Sequence, residues 1–460
     1  MRGRPILAGI FVVALGFVLS IPLRGTGDGQ PTSVRDPKAT PTSESQPTSE
    51  SQPTPDETSP PKEAKLVDKT ELTGAYPEEC LEPVTEPGGD GLLAIDQGRG
   101  IEITDTSGAE PVLIDDSFPF KWSPSGGYLM AGSGTIYDET GDEVATLSSS
   151  DGLSWAWSPI ADCLVFSDGD GLSVLVPGSD PAPLHEGPIS RFSFSPSGGD
   201  LAYYTDGGPE KKESSLWVAS LAGDVSRRIT TIGVPTQDEV LLAGWTPSGS
   251  HVLFWTGPSD LLLRDGKALL AASAEGKVQE AGLVLAHRDF LTACGKDLLG
   301  VIGGGARVEP NEKRLAILKP GRDPEFLTPS GNHEVSPSCS PDEEFIATIR
   351  SASATGDASG RLTIIDRTGS VELTTQDSGY EDAYPLWGRG DAGVLFVRDP
   401  SGRGSDPELW HVSTTSSPQP IGVTLRRVTR DPAIFRDSWG HWLDWSADLP
   451  SGLSVISGAS

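Results

Sequence analysis

The chain has 460 residues and a formal net charge of −30, from 65 acidic and 35 basic side chains. No basic stripe is present to neutralise phosphates, which argues against nucleic acid and against an anionic membrane surface as the ligand. Such acidity is typical of a soluble surface outside the cell, and a cationic partner or calcium is the alternative explanation.

The N-terminus predicts a membrane anchor. No charged residue lies between Pro5 and Leu23. A helix over that span, at about 1.5 Å per residue, is about 28 Å long, close to the roughly 30 Å of a bilayer core. We predict an uncleaved signal anchor over residues 1–24, with Arg2 and Arg4 in the cytoplasm and the remainder extracytoplasmic. A cleaved secretory signal, giving a secreted protein, is the alternative.

A low-complexity segment comes next. The sequence PTSESQ occurs twice in tandem, at Pro41–Gln46 and Pro47–Gln52. A segment with so much proline and so few apolar residues has too little apolar surface to bury a core. We predict a disordered linker over residues 25–70 and a single folded domain over residues 71–460. The linker is a passive spacer or, alternatively, a stalk that lifts the domain through a wall or glycan layer.

The folded part repeats one short phrase, in which a large residue precedes a turn of Pro, Ser, Gly or Asp and an apolar run comes after the turn. Repetition at a period of some tens of residues predicts an array of small β units. Its copies begin at Trp122, Trp157, Phe194, Trp245, Cys294, Cys339, Trp387 and Trp445.

The phrase has the chemistry of a β-turn between two strands. In Trp122–Gly126, Pro124 presets φ at the second turn position and Gly126 accepts the φ that the exit requires. A short apolar strand follows each turn, and a second hairpin follows most of them. Four strands per unit are typical of a β-propeller blade. The aromatic residue before each turn (Trp122, Trp157, Phe194, Trp245, Trp387 and Trp445) is then predicted to pack between neighbouring blades.

The two ends of the repeat complement each other. The first outer hairpin, which begins at Ile101, has no turn phrase before it, and the phrase at Trp445 has no full outer hairpin after it. The C-terminal strand can therefore complete the first blade and close the ring, which removes exposed sheet edges. The sequence favours an all-β propeller of eight blades. Seven is the alternative, because the repeat is degenerate between Gly257 and Gly305.

The phrase resembles the repeat of the TolB-like β-propeller family, in which Phe or Trp precedes Ser-Pro-Asp-Gly and an apolar strand. The resemblance covers residues 91–457 and departs from the pattern at Ile160, Cys294, Glu343 and Arg389. It implies an exported bacterial propeller. Members of this family serve as partner-binding platforms in bacterial envelopes or as regulatory domains in front of peptidases, and fold-level analogy implies a binding platform and little more.

Four cysteines in an exported chain predict two disulfides. Cys294 and Cys339 occupy near-equivalent positions in successive phrases, so we predict a bond between adjacent blades. Cys80 would then tie the segment Tyr76–Val84 to Cys163.

The sequence contains little that indicates catalysis. There is no G-x-S-x-G nucleophile elbow, no phosphate-binding loop and no zinc-ligand spacing among the six histidines. Asp168 and Asp170 are candidate calcium ligands, although Gly and Asp are also the residues that a tight hairpin needs. Arg389-Gly-Asp stands where other copies have their turn, so we interpret it as a turn. No catalytic residue and no cofactor are predicted.

These features predict a non-catalytic, monomeric binding platform that is anchored in the membrane of a bacterial envelope. Its partner would be an envelope protein or a wall glycan. The alternative is a glycan-active hydrolase or lyase with carboxylates at the axial face of the ring. A third hypothesis is a purely structural wall-spanning element.

Overall fold

The structure is a computed structural model, and its described residues all lie in the second of two compact units, residues 62–460. The described residues are 69–72, 74–84, 92–96, 100–105, 111–114, 116, 120–147, 153–169, 171–187, 189, 191–205, 213–223, 225–233, 238–258, 266–285, 290–302, 313–351, 360–375, 379–387, 393–399, 408–413, 418–424 and 443–445. The predicted signal anchor and most of the predicted linker lie outside them. Among these residues, no helix is long and apolar enough to span a membrane.

The described chain is almost entirely β. Its first half contains β1 (Lys69–Glu71), β2 (Leu92–Asp96), β3 (Ile101–Asp105), β4 (Val112–Ile114), β5 (Lys121–Trp122), β6 (Tyr128–Met130), β7 (Thr135–Asp138), β8 (Glu143–Thr146), β9 (Ser154–Trp157), β10 (Leu164–Ser167), β11 (Gly171–Leu175), β12 (Ala182–Glu186), β13 (Arg191–Phe194), β14 (Asp200–Thr205), β15 (Glu213–Ser220) and β16 (Val225–Gly233). Two short 3₁₀ helices are η1 (Glu78–Leu81) and η2 (Leu221–Gly223).

The second half continues the same pattern. It contains β17 (Asp238–Trp245), β18 (His251–Pro258), β19 (Gly266–Ser273), β20 (Val278–Leu285), β21 (Leu291–Cys294), β22 (Asp297–Ile302), β23 (Arg314–Leu318), β24 (Glu325–Phe326), β25 (His333–Cys339), β26 (Phe345–Ser351), β27 (Arg361–Asp366), β28 (Val371–Thr374), β29 (Glu381–Trp387), β30 (Val394–Asp399), β31 (Glu408–Val412), β32 (Gln419–Thr424) and β33 (Leu443–Trp445).

These strands pair as antiparallel four-stranded units. Blade 1 is β33-β2-β3-β4, blade 2 is β5–β8, blade 3 is β9–β12, blade 4 is β13–β16, blade 5 is β17–β20, blade 6 is β21–β24, blade 7 is β25–β28 and blade 8 is β29–β32. Blades 5 and 6 are joined into one sheet by the single pair Val284 and Ile302. The degenerate stretch of the sequence thus still forms a blade, and the described strands give eight.

The ring closes through its two ends, as the sequence predicted. β33 pairs antiparallel with β2, with Trp445 opposite Leu93. The innermost strands of successive blades lie side by side, as β9 does with β13, β13 with β17 and β25 with β29. Four-stranded meanders arranged in this way, with the last strand completing the first blade, form a β-propeller.

The large residues before the turns lie between blades. Their side chains are buried in the five copies described, at Trp122, Trp157, Phe194, Trp245 and Trp387, whereas the side chain of Trp445 lies outside the described residues. Three indole N–H groups donate to the preceding blade, each to the carbonyl just before that blade's own phrase. The bonds run from Trp157 to Lys121 (3.0 Å), from Trp245 to Ser193 (3.1 Å) and from Trp387 to Ser338 (2.9 Å).

The turn phrases adopt the backbone that their chemistry requires. Gly126, Gly198 and Gly249 have φ values of 73°, 70° and 68°. The copy that begins at Cys339 lacks this glycine, and Glu343 takes the same left-handed conformation with φ 64°. The turn position therefore dictates the backbone even where the residue departs from the repeat.

The outer hairpins contribute a second inter-blade contact. Gly276, Gly321 and Gly369 each follow the third strand of a blade and adopt positive φ. Each lies against the outermost strand of the preceding blade; a Cβ at Gly369 would overlap the carbonyl oxygen of Leu327. Gly178 occupies the same hairpin position in blade 3, but a Cβ there would meet no heavy atom within 4 Å.

This difference predicts unequal costs for the same substitution. Gly369→Ala and Gly178→Ala place Cβ at nearly equal φ values, 84° and 86°, so both incur a left-handed penalty of about 1–2 kcal/mol. Only Gly369→Ala must also move a neighbouring backbone, for which overpacking adds about 1–3 kcal/mol. Urea midpoints should therefore rank wild type above Gly178→Ala and Gly178→Ala above Gly369→Ala. Equal midpoints for the two variants would contradict the inter-blade contact.

The structure contains both predicted disulfides. Cys294 and Cys339 join the innermost strands of blades 6 and 7, with their Cα atoms 5.3 Å apart. Cys80 and Cys163 join η1 to blade 3, with their Cα atoms 5.6 Å apart. Both separations lie in the usual range for disulfides.

Candidate functional site

The calcium candidates are not brought into a metal site by the described residues. Asp168 is exposed and Asp170 lies outside the described residues. No group of three or more His, Cys, Asp or Glu side chains with metal-binding geometry occurs in the described ranges. Asp138, in a nearby hairpin, instead accepts backbone N–H bonds from Thr140 (2.9 Å) and Asp142 (3.0 Å). The Thr140 hydroxyl bond is the main reason why the pKa of Asp138 is lowered.

The most unusual backbone lies on the innermost strands of blades 7 and 8. β25 and β29 each contain a bulge in which two residues stand opposite a single residue of the neighbouring strand, at Ser336-Pro337 and at Tyr384-Pro385. Ser336 has φ 54° and Tyr384 has φ 53°. Non-glycine residues seldom adopt this conformation. A following proline further restricts the backbone, so both bulges are strained.

A buried acid–arginine pair lies beside each bulge. In blade 8, Asp382 and Arg398 are directly opposite one another on β29 and β30, and each is at most 3% exposed. Arg398 Nε donates to Asp382 Oδ1 (2.8 Å) and Nη2 donates to Oδ2 (3.2 Å). The guanidinium carbon lies 4.7 Å from the ring centroid of Trp410 and 5.2 Å from that of Phe396. The pair is therefore well hydrogen-bonded and shielded from water.

The corresponding pair in blade 7 is less complete. Glu334 is fully buried and lies opposite Arg350. Both Nε (2.9 Å) and Nη2 (2.6 Å) of Arg350 donate to the same oxygen, Oε1 of Glu334. Oε2 of Glu334 is buried and has no hydrogen-bond partner among the described atoms. The Arg350 side chain is 19% exposed, so this pair lies closer to solvent than the pair in blade 8.

The acid in blade 8 also connects its blade to the preceding one. The Asp382 carboxylate accepts hydrogen bonds from the Thr375 hydroxyl and the Leu362 N–H, both in blade 7. In blade 6, the Leu315 N–H instead donates to the Thr328 hydroxyl (3.1 Å). Asp382 thus fixes the position of β29 against blade 7 as well as that of Arg398.

The two ion pairs lie near one end of the ring, because Glu334 and Asp382 are each the second residue of their strand, whereas the bulges lie in the middle of these strands. The turn phrases follow the innermost strands and define the end that we call the turn end. The innermost strands begin at the opposite end, here called the loop end, where the second strands also terminate because the strands alternate in direction. In blades 4–8 the chain between the second and third strands is longer than the turn phrases; these connections span 206–212, 259–265, 303–313, 352–360 and 400–407.

Sequence reasoning did not identify this site, although a signal is present. In both blades a proline stands three residues after the acid, as in Glu334 and Pro337, and the arginine stands 16 residues after it. A strand in which an acid is followed three residues later by proline can be recognised in a sequence. Its interpretation as a buried pair requires the strand register, because residues 16 apart meet only when the two strands are aligned.

The arrangement favours a structural role for the two carboxylates over an acid–base role. A glycosidase requires one carboxyl group to hold a proton and a second to face the substrate. Asp382 is instead enclosed by Arg398, Thr375 and Leu362. Removing either partner would leave a buried charge uncompensated. The beginnings of β25 and β29 are therefore braced against their neighbouring strands by these ion pairs.

Comparison with known proteins gives fold-level similarity only. No family model and no curated protein matches the chain. Among solved structures, a eukaryotic initiation factor aligns with a TM-score of 0.48 and 14% identity over 75% of this chain and 90% of that one. A putative TolB from Agrobacterium tumefaciens gives 0.29 and 14% over 72% and 89%. The Swd1 β-propeller domain of Myceliophteria thermophila gives 0.38 and 15% over 66% and 99%.

Proposed function

We propose that this chain is a non-catalytic binding platform, held on the outer side of a bacterial membrane by its N-terminal segment, and that the loop end is its binding face. The chain would belong with exported propellers of the TolB-like kind. Its partner would be an envelope protein or a wall glycan, and we favour a protein. Calcium and other cofactors have no part in the proposal.

The observation that supports this proposal is the pair of strained bulges on adjacent innermost strands. Strained backbone persists only where the surrounding structure enforces it, and it is concentrated at functional sites. Here the enforcing structure is the ion pair beside each bulge, at Asp382 and at Glu334. The bulges lie in the middle of β25 and β29, and the ion pairs that enforce them lie near the loop end, one residue after each strand begins.

The two buried carboxylates also make the alternative function, that of a glycan-active enzyme, less favoured. A glycan-active enzyme needs convergent carboxylates that are free to exchange protons. The two buried carboxylates on the innermost strands, Glu334 and Asp382, are both engaged by arginines. Binding requires no such free group, because strands that are already braced need little ordering when a partner associates.

Site-specific photocrosslinking in native membranes tests which end binds. Ser330 is exposed and lies shortly before β25, at the loop end, whereas Ser248 is exposed in a turn phrase at the turn end. Each is replaced, in separate full-length variants, by p-benzoyl-phenylalanine. We expect a discrete covalent adduct from the Ser330 variant and none from the Ser248 variant, to be identified by mass spectrometry of the adduct.

Two results would count against this function. Binding at the loop end would be contradicted if only the Ser248 variant formed adducts, or if both variants formed them in equal yield. The wild-type protein would be an enzyme if it released soluble sugar from purified wall glycan while the heat-inactivated protein did not. That result would contradict a non-catalytic binding platform.

A further inference from the structure

The first described residues of the chain contact blades 3 and 4, whereas the first strands of the ring belong to blade 1. The described residues 69–72 and 74–84, here called the strap, lie on blades 3 and 4 before the chain reaches β2 in blade 1. At its beginning, β1 adds a fifth strand to the outer edge of blade 4, with Lys69 opposite Arg227 and Glu71 opposite Val225. Backbone hydrogen bonds thus join the strap to a blade whose strands are distant from it in sequence.

The middle of the strap packs closely against blade 3. Gly74 approaches the Pro183 carbonyl so closely that a Cβ would overlap it. Tyr76 is 4% exposed and Cys80 is fully buried, and both belong to the apolar cluster that includes Ala161 and Leu184. Burial raises the pKa of Tyr76 above its ordinary value, which is consistent with a dry contact.

The end of the strap is fixed to blade 3 covalently. Cys80 is bonded to Cys163, immediately before β10, and the sequence separation of the two cysteines is 83 residues. Next to this bond, the Val84 N–H donates to the Ile160 carbonyl in the turn phrase (2.7 Å). The bond bypasses the chain from Cys80 to Cys163, which contains β2–β9. These strands are all of blade 1 except β33, all of blade 2 and the innermost strand of blade 3.

The strap leads directly into the closure of the ring. β2 is the first strand after it, and β2 is held to β33 by the pairs that begin at Leu93 and Trp445. A pull on the chain before Lys69 would, without the disulfide, pass along the strap to β2 and act directly on this closure. With the disulfide, the force passes from Cys80 through the bond to Cys163 and is borne by blade 3.

We propose that the strap and its disulfide form a mechanical clamp that transfers tension on the N-terminal tether to blade 3 and shields the ring closure. The clamp is redox-dependent, since its last element is a covalent bond that a reductant removes. It requires neither the membrane anchor nor a binding partner, so it stands or fails separately from the proposed function.

Single-molecule pulling on the full-length protein tests this clamp. One handle is attached at Thr54 and a second at Ser248 in blade 5. In the oxidised protein, peeling should stop at Cys80 and release the contour of residues 69–80, about 40 Å at 3.3–3.6 Å per residue. In the variant Cys80→Ala/Cys163→Ala, the same force should continue into blade 1 and release up to 83 further residues, about 280 Å.

A second comparison keeps the result interpretable if that variant folds poorly. The variant Cys294→Ala/Cys339→Ala retains only the strap disulfide and should match wild type when oxidised. After addition of reductant it should show the long release. A long release from the oxidised protein at the same force, or only the short release from the reduced one, would overturn the clamp.

Discussion

Asp382→Ala is expected to destabilise the protein by about 3–5 kcal/mol, because it leaves a buried arginine without its counter-charge. Arg398 is 2% exposed and is surrounded by aromatic rings, so water cannot replace the lost carboxylate. The Thr375 hydroxyl and the Leu362 N–H lose their acceptor at the same time. The free energy of unfolding from urea titrations measures the loss.

The matched control is Glu334→Ala in blade 7. Its partner Arg350 has a side chain that is 19% exposed and can be hydrated, so we expect a smaller loss of about 1–3 kcal/mol. A third variant, Asp382→Leu/Arg398→Met, removes both charges and should recover much of the stability that Asp382→Ala loses. A larger loss from Glu334→Ala than from Asp382→Ala would refute this ranking of the two pairs.

The propeller could be predicted from the sequence because its turns are determined locally. Pro124 and Gly126 impose a turn through their own φ preferences, and the strand after them is indicated by a short apolar run. The same local chemistry predicted the blade repeat and the closure of the ring by β33. Because Cys294 and Cys339 occupy equivalent positions in successive repeats, their disulfide could also be predicted without knowledge of the tertiary structure.

The candidate site could not be predicted in the same way. Asp382 and Arg398 are 16 residues apart, and charged residues in strands are usually exposed. Whether they meet in the interior depends on the register between β29 and β30 and on a bulge, which no single residue specifies. The pairing of β1 with blade 4 is harder still, because a three-residue edge strand has almost no pattern and its partner near Val225 is remote in sequence.

Loss of the Cys294–Cys339 disulfide should destabilise the ring by about 4 kcal/mol. The bond closes a loop of 45 residues, and the chain-entropy model assigns a loop of that size a value near this figure within the usual range of about 2–5 kcal/mol. Both cysteines are 1% exposed and lie on the innermost strands of blades 6 and 7. The variant Cys294→Ala/Cys339→Ala avoids burying new hydroxyl groups, and urea unfolding against wild type measures the loss.

Reductant separates the effect of the bond from that of the substitutions. In the background Cys80→Ala/Cys163→Ala, reductant acts only on the Cys294–Cys339 bond and should lower the urea midpoint. In the fully cysteine-free chain it should have no effect. An unchanged midpoint in the first case would contradict the prediction, because it would mean that the bond adds no stability. The expected loss instead arises because the unfolded chain regains, once the bond is removed, the conformational freedom of the 45-residue loop that the bond closes.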